Sequence, residues 1–168
     1  MQEIFATENF TVQVPSLPHV SRADGGHVVI WPKTPVPDRT RLSPAQATEL
    51  MRLTMVVGVA MTTALQARGV PIGRINYQDN GNWGVGNPGG PTLHLHLYGR
   101  SKTAKVQTYG EALRLPHPAT GFYRDCKPLN TGDIAAIRKK IADLLRQLRY
   151  ADAAWGLHRP GSDEPTVR

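Results

Sequence analysis

The sequence predicts an α+β domain over residues 1–155, followed by a disordered tail over residues 156–168. The chain of 168 residues has the length of one domain, and 40% of its residues are hydrophobic, which is enough to form a buried core. Two long stretches repeat apolar residues at helical spacing, whereas several short stretches alternate or are wholly apolar, as strands are. These patterns favour two main helices and a sheet.

The first helix is predicted to begin at Ser43 and Pro44. Serine is a good N-cap, and proline suits the first helical position because its missing N–H would be unpaired there. Gly69 is the predicted end of this helix. The second helix is predicted over about residues 133–149, with Thr131 as its N-cap, because apolar residues repeat there at helical spacing.

Four strands are predicted from the alternating or wholly apolar stretches, at Phe10–Val14, His27–Trp31, Ile72–Gln78 and Thr92–Tyr98. Residues 79–91 contain five glycines and three asparagines, which indicates a loop before the last strand. Residues 101–130 give no clear pattern and no prediction is made for them.

Cysteine content and hydropathy predict a cytoplasmic protein without a membrane partner. With Cys126 as the one cysteine, neither an intrachain disulfide nor a cysteine-based metal cluster can form. The longest apolar run, Met55–Met61, is too short to span a bilayer, and the N-terminus has no basic stretch followed by an apolar one.

Positive charge is concentrated in residues 100–150. The net charge is +7, and this segment alone contains eleven Lys or Arg against four Asp or Glu. A local positive field would attract phosphorylated ligands, although a solvated helix face at residues 138–140 is the alternative. Nucleic acid is a weaker alternative, because only 7% of the residues are aromatic; RNA binding would weaken steeply with salt.

The clearest candidate site is the predicted strand Thr92–Tyr98. Residues two apart in a strand point to the same face, so Thr92, His94, His96 and Tyr98 share one face, and the intervening leucines share the other. The Gly- and Asn-rich loop before it can turn backbone N–H groups toward an anion. Two imidazoles beside such a loop favour an anionic ligand.

Three interpretations of His94 and His96 remain open on their chemistry alone. They could be structural and hydrogen-bonded on a half-exposed sheet, which is the commonest role of such a pair. They could bind a metal, but the other four histidines are not paired at a useful spacing. One could also be a nucleophile toward phosphorus, because imidazole titrates near neutral pH.

Two segments resemble the histidine-triad (HIT) family. Residues 80–100, NGNWGVGNPGGPTLHLHLYGR, are similar to its Asn/Gly-rich loop followed by His-φ-His-φ-His-φ-φ, a small residue or Pro, and Arg or Lys. Residues 26–33, GHVVIWPK, are similar to its Gly-His, apolar strand and Pro-Lys segment, in which we expect His27 only to cap a strand. The resemblance, over about residues 10–100, implies a HIT-like, mainly antiparallel sheet of about five strands with two main helices, and a homodimer.

The triad of this sequence is incomplete. When Arg100 is aligned with the family's terminal basic residue, His96 takes the third histidine position, His94 takes the middle one, and Thr92 stands at the first. The other register would make His94 the first, His96 the nucleophile and Tyr98 the third. The spacing from His96 to Arg100 favours the first register.

In this register the resemblance implies that His94 attacks the α-phosphorus of a nucleotide, and that water then releases the nucleotide from the histidine. His96 would bind phosphate oxygens or protonate the leaving group, and Thr92 would donate a hydrogen bond in place of the missing imidazole. No metal site is expected and no cofactor is required, although a divalent cation is compatible with a polyphosphate substrate. The residues expected to bind phosphate are Asn80, Asn82, Gly89 and Gly90.

The resemblance thus predicts a nucleotide-binding hydrolase or nucleotidyl transferase that acts on a phosphoramidate or phosphoanhydride bond through a nucleotidyl-histidine. A nucleoside phosphoramidase or a dinucleoside polyphosphate hydrolase would fit. The alternative is a non-catalytic HIT-like module that senses nucleotides or holds a partner protein, and Thr92 favours it. A covalent nucleotidyl adduct would form only in the enzyme.

Overall fold

The computed structural model of the protein describes residues 1–157, apart from the side chain of Asn82. Residues 158–168 of the predicted tail lie outside the described residues. The described elements are strands β1 (Gln2–Ala6), β2 (Phe10–Val14), β3 (His27–Pro32), β4 (Ile72–Asp79) and β5 (Leu95–Ser101), and helices α1 (Pro44–Ala67) and α2 (Thr131–Leu145).

The five strands form one sheet in the order β1-β2-β3-β5-β4, and every neighbouring pair is antiparallel. This confirms the predicted α+β fold with a five-stranded antiparallel sheet and two main helices. Strand β5, the last in sequence, lies between β3 and β4. It therefore has a strand on each side, and the loop of residues 80–94 must lead the chain from the edge strand into the middle of the sheet.

Strand β5 begins three residues later than the sequence predicts. Its first paired residue is Leu95, which lies opposite Ile30 of β3. Residues 92–94 leave the ladder because the N–H of Leu93 donates to the carbonyl of Val36 (2.8 Å), in the loop that follows β3. The predicted site strand is thus a short irregular segment followed by a strand, and His94 lies at the junction.

Both helices start with a capping box, in which side chain and backbone satisfy each other's hydrogen bonds. Ser43 caps α1 as predicted and exchanges bonds with Gln46. Helix α2 is capped by Asn130 rather than Thr131, because the Asn130 side chain accepts from the backbone N–H of Asp133 (3.0 Å). It also ends at Leu145, four residues before the predicted end.

Helix α1 is the core helix of the domain. Its apolar residues pack with those of α2 and of the inner face of the sheet in one buried cluster. With 24 residues, α1 is long and apolar enough to cross a membrane by length and composition, unlike the short run considered above. More than half of its most apolar window, 56%, is buried inside the domain, as expected for a core helix.

Asp133 at the start of α2 connects three parts of the chain. Its carboxylate is fully buried and accepts from Arg22 Nε (2.6 Å) and Arg68 Nε (2.6 Å). It also accepts from the backbone N–H of Asn130 (3.0 Å). Arg22 lies in the loop before β3 and Arg68 follows α1, so one carboxylate holds the loop, the core helix and α2 together.

Residues 101–130, whose sequence shows no clear pattern, fold against the loop before β3. Asp24 in that loop accepts from three consecutive backbone N–H groups, those of residues 105–107, at 2.9 to 3.1 Å. Arg100 is buried, and its Nη2 donates to the carbonyls of Thr108 (2.7 Å) and Glu111 (2.9 Å). Arg100, which occupies the family's basic position, thus anchors this segment.

Candidate active site

One face of the sheet carries a cluster of aromatic and imidazole side chains. His27 of β3 lies opposite Tyr98 of β5, and Val29 lies opposite His96. The residues between them, such as Leu97, point to the core on the other side. We call the side of the sheet that bears His27, His96 and Tyr98 the site face.

Two glycines bring the loop before β3 against β5. A Cβ on Gly25 would lie 2.2 Å from the carbonyl oxygen of Gly99, and a Cβ on Gly99 would lie 2.0 Å from that of Gly25. Gly25 also has a φ of +132°, which L side chains rarely adopt. The N–H of Gly99 donates to the carbonyl of Gly26 (3.0 Å), which fixes the loop beside His27.

His94 has one nitrogen free for chemistry. Its Nδ1 lies 2.8 Å from the carbonyl oxygen of Thr92, and because a carbonyl only accepts, Nδ1 must carry the proton. The lone pair of the neutral ring is therefore on Nε2. The half-buried ring stacks on Trp31, with centroids 4.3 Å apart and planes 9° apart, and this contact fixes its orientation. A nucleophilic role requires this tautomer.

The hydrogen bonds of His27 fix the tautomer of His96. The backbone N–H of His19 donates to His27 Nδ1 (3.1 Å), so the proton of a neutral His27 is on Nε2. That Nε2–H donates to His96 Nδ1 (2.8 Å). The proton of His96 is therefore on Nε2, and His96 offers an N–H donor rather than a lone pair. Both rings are buried.

A second chain of hydrogen bonds determines the tautomer of His19. The Nδ2 of Asn80 donates to the hydroxyl oxygen of Tyr98 (3.1 Å). The hydroxyl proton of Tyr98 is then available to His19 Nδ1, 2.8 Å away, which leaves the His19 proton on Nε2. Asn80, predicted to bind phosphate, is connected with the site by its hydrogen bond to Tyr98.

Burial keeps these imidazoles neutral. Desolvation, followed by the proximity of His94 and His19, lowers the pKa of His96 to about 3. Desolvation and the neighbouring imidazoles, His96 first, hold the pKa of His27 well below its usual value. Burial, and then His94, also lowers the pKa of His19. At neutral pH the site therefore contains uncharged N–H donors.

These lowered pKa values predict that the protein loses stability in mild acid. Below pH 6.5 the imidazole binds a proton in the unfolded chain but stays neutral in the folded one. The free energy of unfolding is therefore full above pH 6.5 and falls as the pH approaches the folded pKa. For His96 the loss is about 1.4 kcal/mol per pH unit, or roughly 2 kcal/mol at pH 5. Urea unfolding at pH 7.5 and 5.0 measures it.

The variant His96→Gln isolates the contribution of that ring to acid sensitivity. It should show a smaller loss of unfolding free energy between pH 7.5 and 5.0 than the wild type. His117→Gln changes an exposed loop histidine and should keep the full loss. An unchanged pH dependence in His96→Gln would mean that His96 is protonated equally well in the folded chain.

The other predicted site residues lie in the loop of residues 80–94. Thr92 contributes its backbone carbonyl, to His94. The N–H of Gly90 donates to the carbonyl of Asn87 (2.8 Å) and is thus committed to a turn, and Gly89 is exposed. Asn82 lies in the short helical turn Gly81–Gly84, but its side chain is outside the described part of the chain.

The histidine cluster has three nitrogens close enough together to be considered as a metal site. His19, His27 and His96 each offer a nitrogen, and these three atoms lie within 4.8 Å of one another. However, both nitrogens of His27 are already in use, one accepting from a backbone N–H and the other donating to His96. A metal on Nε2 would move the proton to Nδ1, where it would face another donor. The cluster therefore fits a hydrogen-bonded site better than a metal site.

Sequence reasoning missed three members of the cluster. His27 was expected only to cap a strand, but it lies in the centre of the site; its place in the Gly-His, apolar strand, Pro-Lys segment was the signal available. Tyr98 was placed on the same strand face as His94 and His96 and at the third histidine position of the less favoured register, but it was given no role of its own. His19 lies in a Pro- and Gly-rich loop, and nothing in its local pattern connects it with residues 27 or 96.

The comparisons with known proteins support the fold. No family model matches the chain, and no curated protein matches its sequence. It is similar in structure to a hypothetical histidine triad nucleotide-binding protein from Sulfolobus tokodaii, with 16% identity over 87% of each chain and a TM-score of 0.55. It is also similar to a Zn-bound histidine triad family protein from Mycobacterium smegmatis, with 18% identity over 84% of each chain and a TM-score of 0.52.

A uridylyltransferase is also similar, with 15% identity and a TM-score of 0.51, over 86% of this chain and 42% of its own. At identities this low, the structural similarity shows a shared fold but does not identify the activity. The five-stranded antiparallel sheet and the two helices agree with this result. The chain therefore has the HIT-like fold that its sequence predicts.

Proposed function

We propose that this protein is a nucleotide-binding enzyme that transfers a nucleotidyl group to His94 and then to water or another acceptor. The observation that carries the proposal is the hydrogen bond from His94 Nδ1–H to the carbonyl of Thr92, which leaves the Nε2 lone pair unprotonated. The structural neighbours include a nucleotide-binding protein and a uridylyltransferase. Their chemistry supports a nucleotide as the ligand.

In the proposed reaction, His94 Nε2 attacks the α-phosphorus, and the P–N or P–O bond to the leaving group breaks. Water then attacks the same phosphorus, the P–N bond to His94 breaks, and a nucleoside monophosphate leaves. Dividing one displacement into two lowers the barrier of each. His94 returns to its starting tautomer.

The geometry favours one of the two roles considered for His96. A neutral imidazole that gave up its Nε2–H would become an anion, because its Nδ1 already accepts from His27. His96 is therefore a poor acid, and we assign it a hydrogen bond to a phosphate oxygen. The leaving group takes its proton from water. A donor aimed at charge that develops in the transition state typically contributes about 10²- to 10³-fold in rate.

Intact-protein mass spectrometry after mixing with an adenosine phosphoramidate tests the proposal. The wild type should gain the mass of one AMP residue transiently, and peptide mapping should place it on His94. His117→Ala, which changes an exposed histidine that caps the short helical turn Pro118–Thr120, should form the same adduct. Measurable AMP binding without adduct or turnover would instead support the non-catalytic nucleotide-sensing module, which the threonine at position 92 favours.

We also propose a homodimer through β4 and α1. Among the strands of residues 1–157, β4 lies at an edge of the sheet, so one of its sides has no partner strand there and can pair with a second copy. Beside it Tyr77 is 48% exposed and Val59 of α1 is 39% exposed, and with Gly58 they line a shallow apolar depression. Sedimentation velocity should give a dimer mass for the wild type and a monomer mass for Tyr77→Lys. A wild-type monomer at all concentrations would contradict this.

A further inference from the structure

His19 lies at the boundary between the histidine cluster and a neighbouring cavity. Its ring centroid is 4.9 Å from that of His27 and 5.5 Å from that of His96. The half-buried His19 also lines a cavity of about 640 Å³, together with the loop before β3, residues 69–70 and residues 103–126. A ring in this place can contact both a phosphate near His96 and a group bound in the cavity.

The remaining hydrogen-bonding capacity of His19 is a donor. Nδ1 is occupied by the Tyr98 hydroxyl (2.8 Å), so the proton is on Nε2. The ring is fixed by contacts with Tyr123 (4.9 Å between centroids) and Trp83 (5.4 Å, edge to face), and its backbone N–H is used by His27. His19 is therefore oriented before any ligand binds, which reduces the entropy that binding must overcome.

We propose that His19 is a substrate-binding residue that donates its Nε2–H to a phosphate oxygen of the nucleotide held at His94. It thereby supplies a third imidazole to a site in which the sequence has Thr92 at the first histidine position. This inference rests on the proposed function, since the nucleotide is its ligand. Its ring centroid lies 5.5 Å from that of His96, so the two neutral N–H donors are carried by neighbouring rings, and one phosphate chain can accept from both.

The role predicts an effect on KM rather than on kcat. A donor that contacts the bound substrate and the transition state equally contributes uniform binding, so its loss raises KM and leaves the chemical step unchanged. A hydrogen bond to a charged oxygen corresponds to about 10- to 100-fold in affinity. Because His94 is untouched, the covalent adduct should still form at saturating substrate.

Two substitutions separate the donor from the ring. His19→Phe keeps a flat ring and removes the N–H, whereas His19→Gln keeps an amide N–H donor. With an adenosine phosphoramidate, we expect His19→Phe to raise KM about 10- to 100-fold with kcat within a few-fold of wild type. His19→Gln should recover most of the lost affinity. His117→Phe is the matched control in an exposed loop and should behave as wild type.

Three results would overturn the role of His19. One is a His19→Phe enzyme with wild-type KM. Another is an equal rise in KM in His19→Phe and His19→Gln together with a lowered melting temperature, because His19 would then contribute only to the packing of its loop. If the wild type forms no adduct and has no turnover, the proposed function fails, and calorimetric titration with AMP takes the place of KM. Equal AMP affinity in wild type and His19→Phe, or no AMP binding by the wild type, would then refute this inference as well.

Discussion

Replacement of His94 by alanine should lower kcat/KM for an adenosine phosphoramidate by on the order of 10⁴-fold or more, because no other imidazole of the described cluster has a free lone pair with which to form the covalent intermediate. The remaining imidazoles offer N–H donors: the lone pairs of His96 Nδ1 and His19 Nδ1 already accept from His27 and Tyr98. Neither can attack phosphorus in its place. Steady-state kinetics of AMP release, with the background hydrolysis subtracted, measures the effect.

The loss in His94→Ala should be confined to the chemical step. AMP affinity should change little, because the donors of His19 and His96 remain, and the melting temperature should stay close to that of the wild type since His94 is half-buried. His117→Ala should retain full turnover. Turnover in His94→Ala within tenfold of the wild type would remove His94 from the nucleophilic role.

Replacement of Asp133 by alanine should lower the free energy of unfolding by about 3 kcal/mol. The substitution removes a fully buried carboxylate that accepts from Arg22, Arg68 and the backbone of Asn130. It also deletes half of the capping box of α2. The two arginines are partly exposed and can be solvated by water after the substitution. The loss of unfolding free energy is therefore smaller than for an ion pair in which both partners are buried. Urea unfolding at pH 7.5 measures it.

The partly exposed carboxylate of Asp143 provides the matched control. It pairs with Lys139 (3.1 Å) on the outer face of the same helix, and such surface pairs contribute little. Asp143→Ala should therefore unfold as the wild type does. Equal behaviour of Asp133→Ala and Asp143→Ala would mean that the buried bridge adds nothing net to stability.

Acid should weaken the Asp133 bridge only at low pH. Burial raises the pKa of this carboxyl, but the hydrogen bonds from Arg22 and Arg68 outweigh burial and lower it overall. A lowered carboxyl pKa adds stability that is complete above the unfolded value, near 3.9, and is lost as the pH falls through the folded value. The histidine cluster, by contrast, begins to lose stability near pH 6.5, so its contribution appears first as the pH falls, before that of Asp133.

The sequence predicted the parts of the fold that depend on local order. The cap of α1 and the strands at Phe10–Val14 and residues 27–32 were found because capping chemistry and apolar patterning are properties of neighbouring residues. Strand β1 was missed since only Ile4 of its five residues is fully buried, which leaves no alternation. The start of β5 was misplaced because a contact with Val36, far along the chain, takes residues 92–94 out of the ladder.

The site was predictable only where it lies within one strand. His94 and His96 were found through their spacing, and the backbone bond that sets the His94 tautomer follows from the two-residue separation from Thr92. The bond between His27 and His96 joins residues 69 apart in sequence, and that between His19 and Tyr98 joins residues 79 apart. No local pattern encodes such distances, so the proton positions in the site emerge only from the tertiary structure.

The contact between Gly25 and Gly99 places a constraint on how this site can change over evolution. A side chain at either position would push the loop before β3 away from β5, and the nitrogen atoms of His19 and His27 would move away from Tyr98 and His96 with it. The two glycines and His19 should therefore be kept or lost as a set. A Gly-Gly-His tripeptide whose histidine lies eight residues after another histidine, combined with His-x-x-Gly on a later strand, offers a search pattern for other chains that assemble this cluster from a loop.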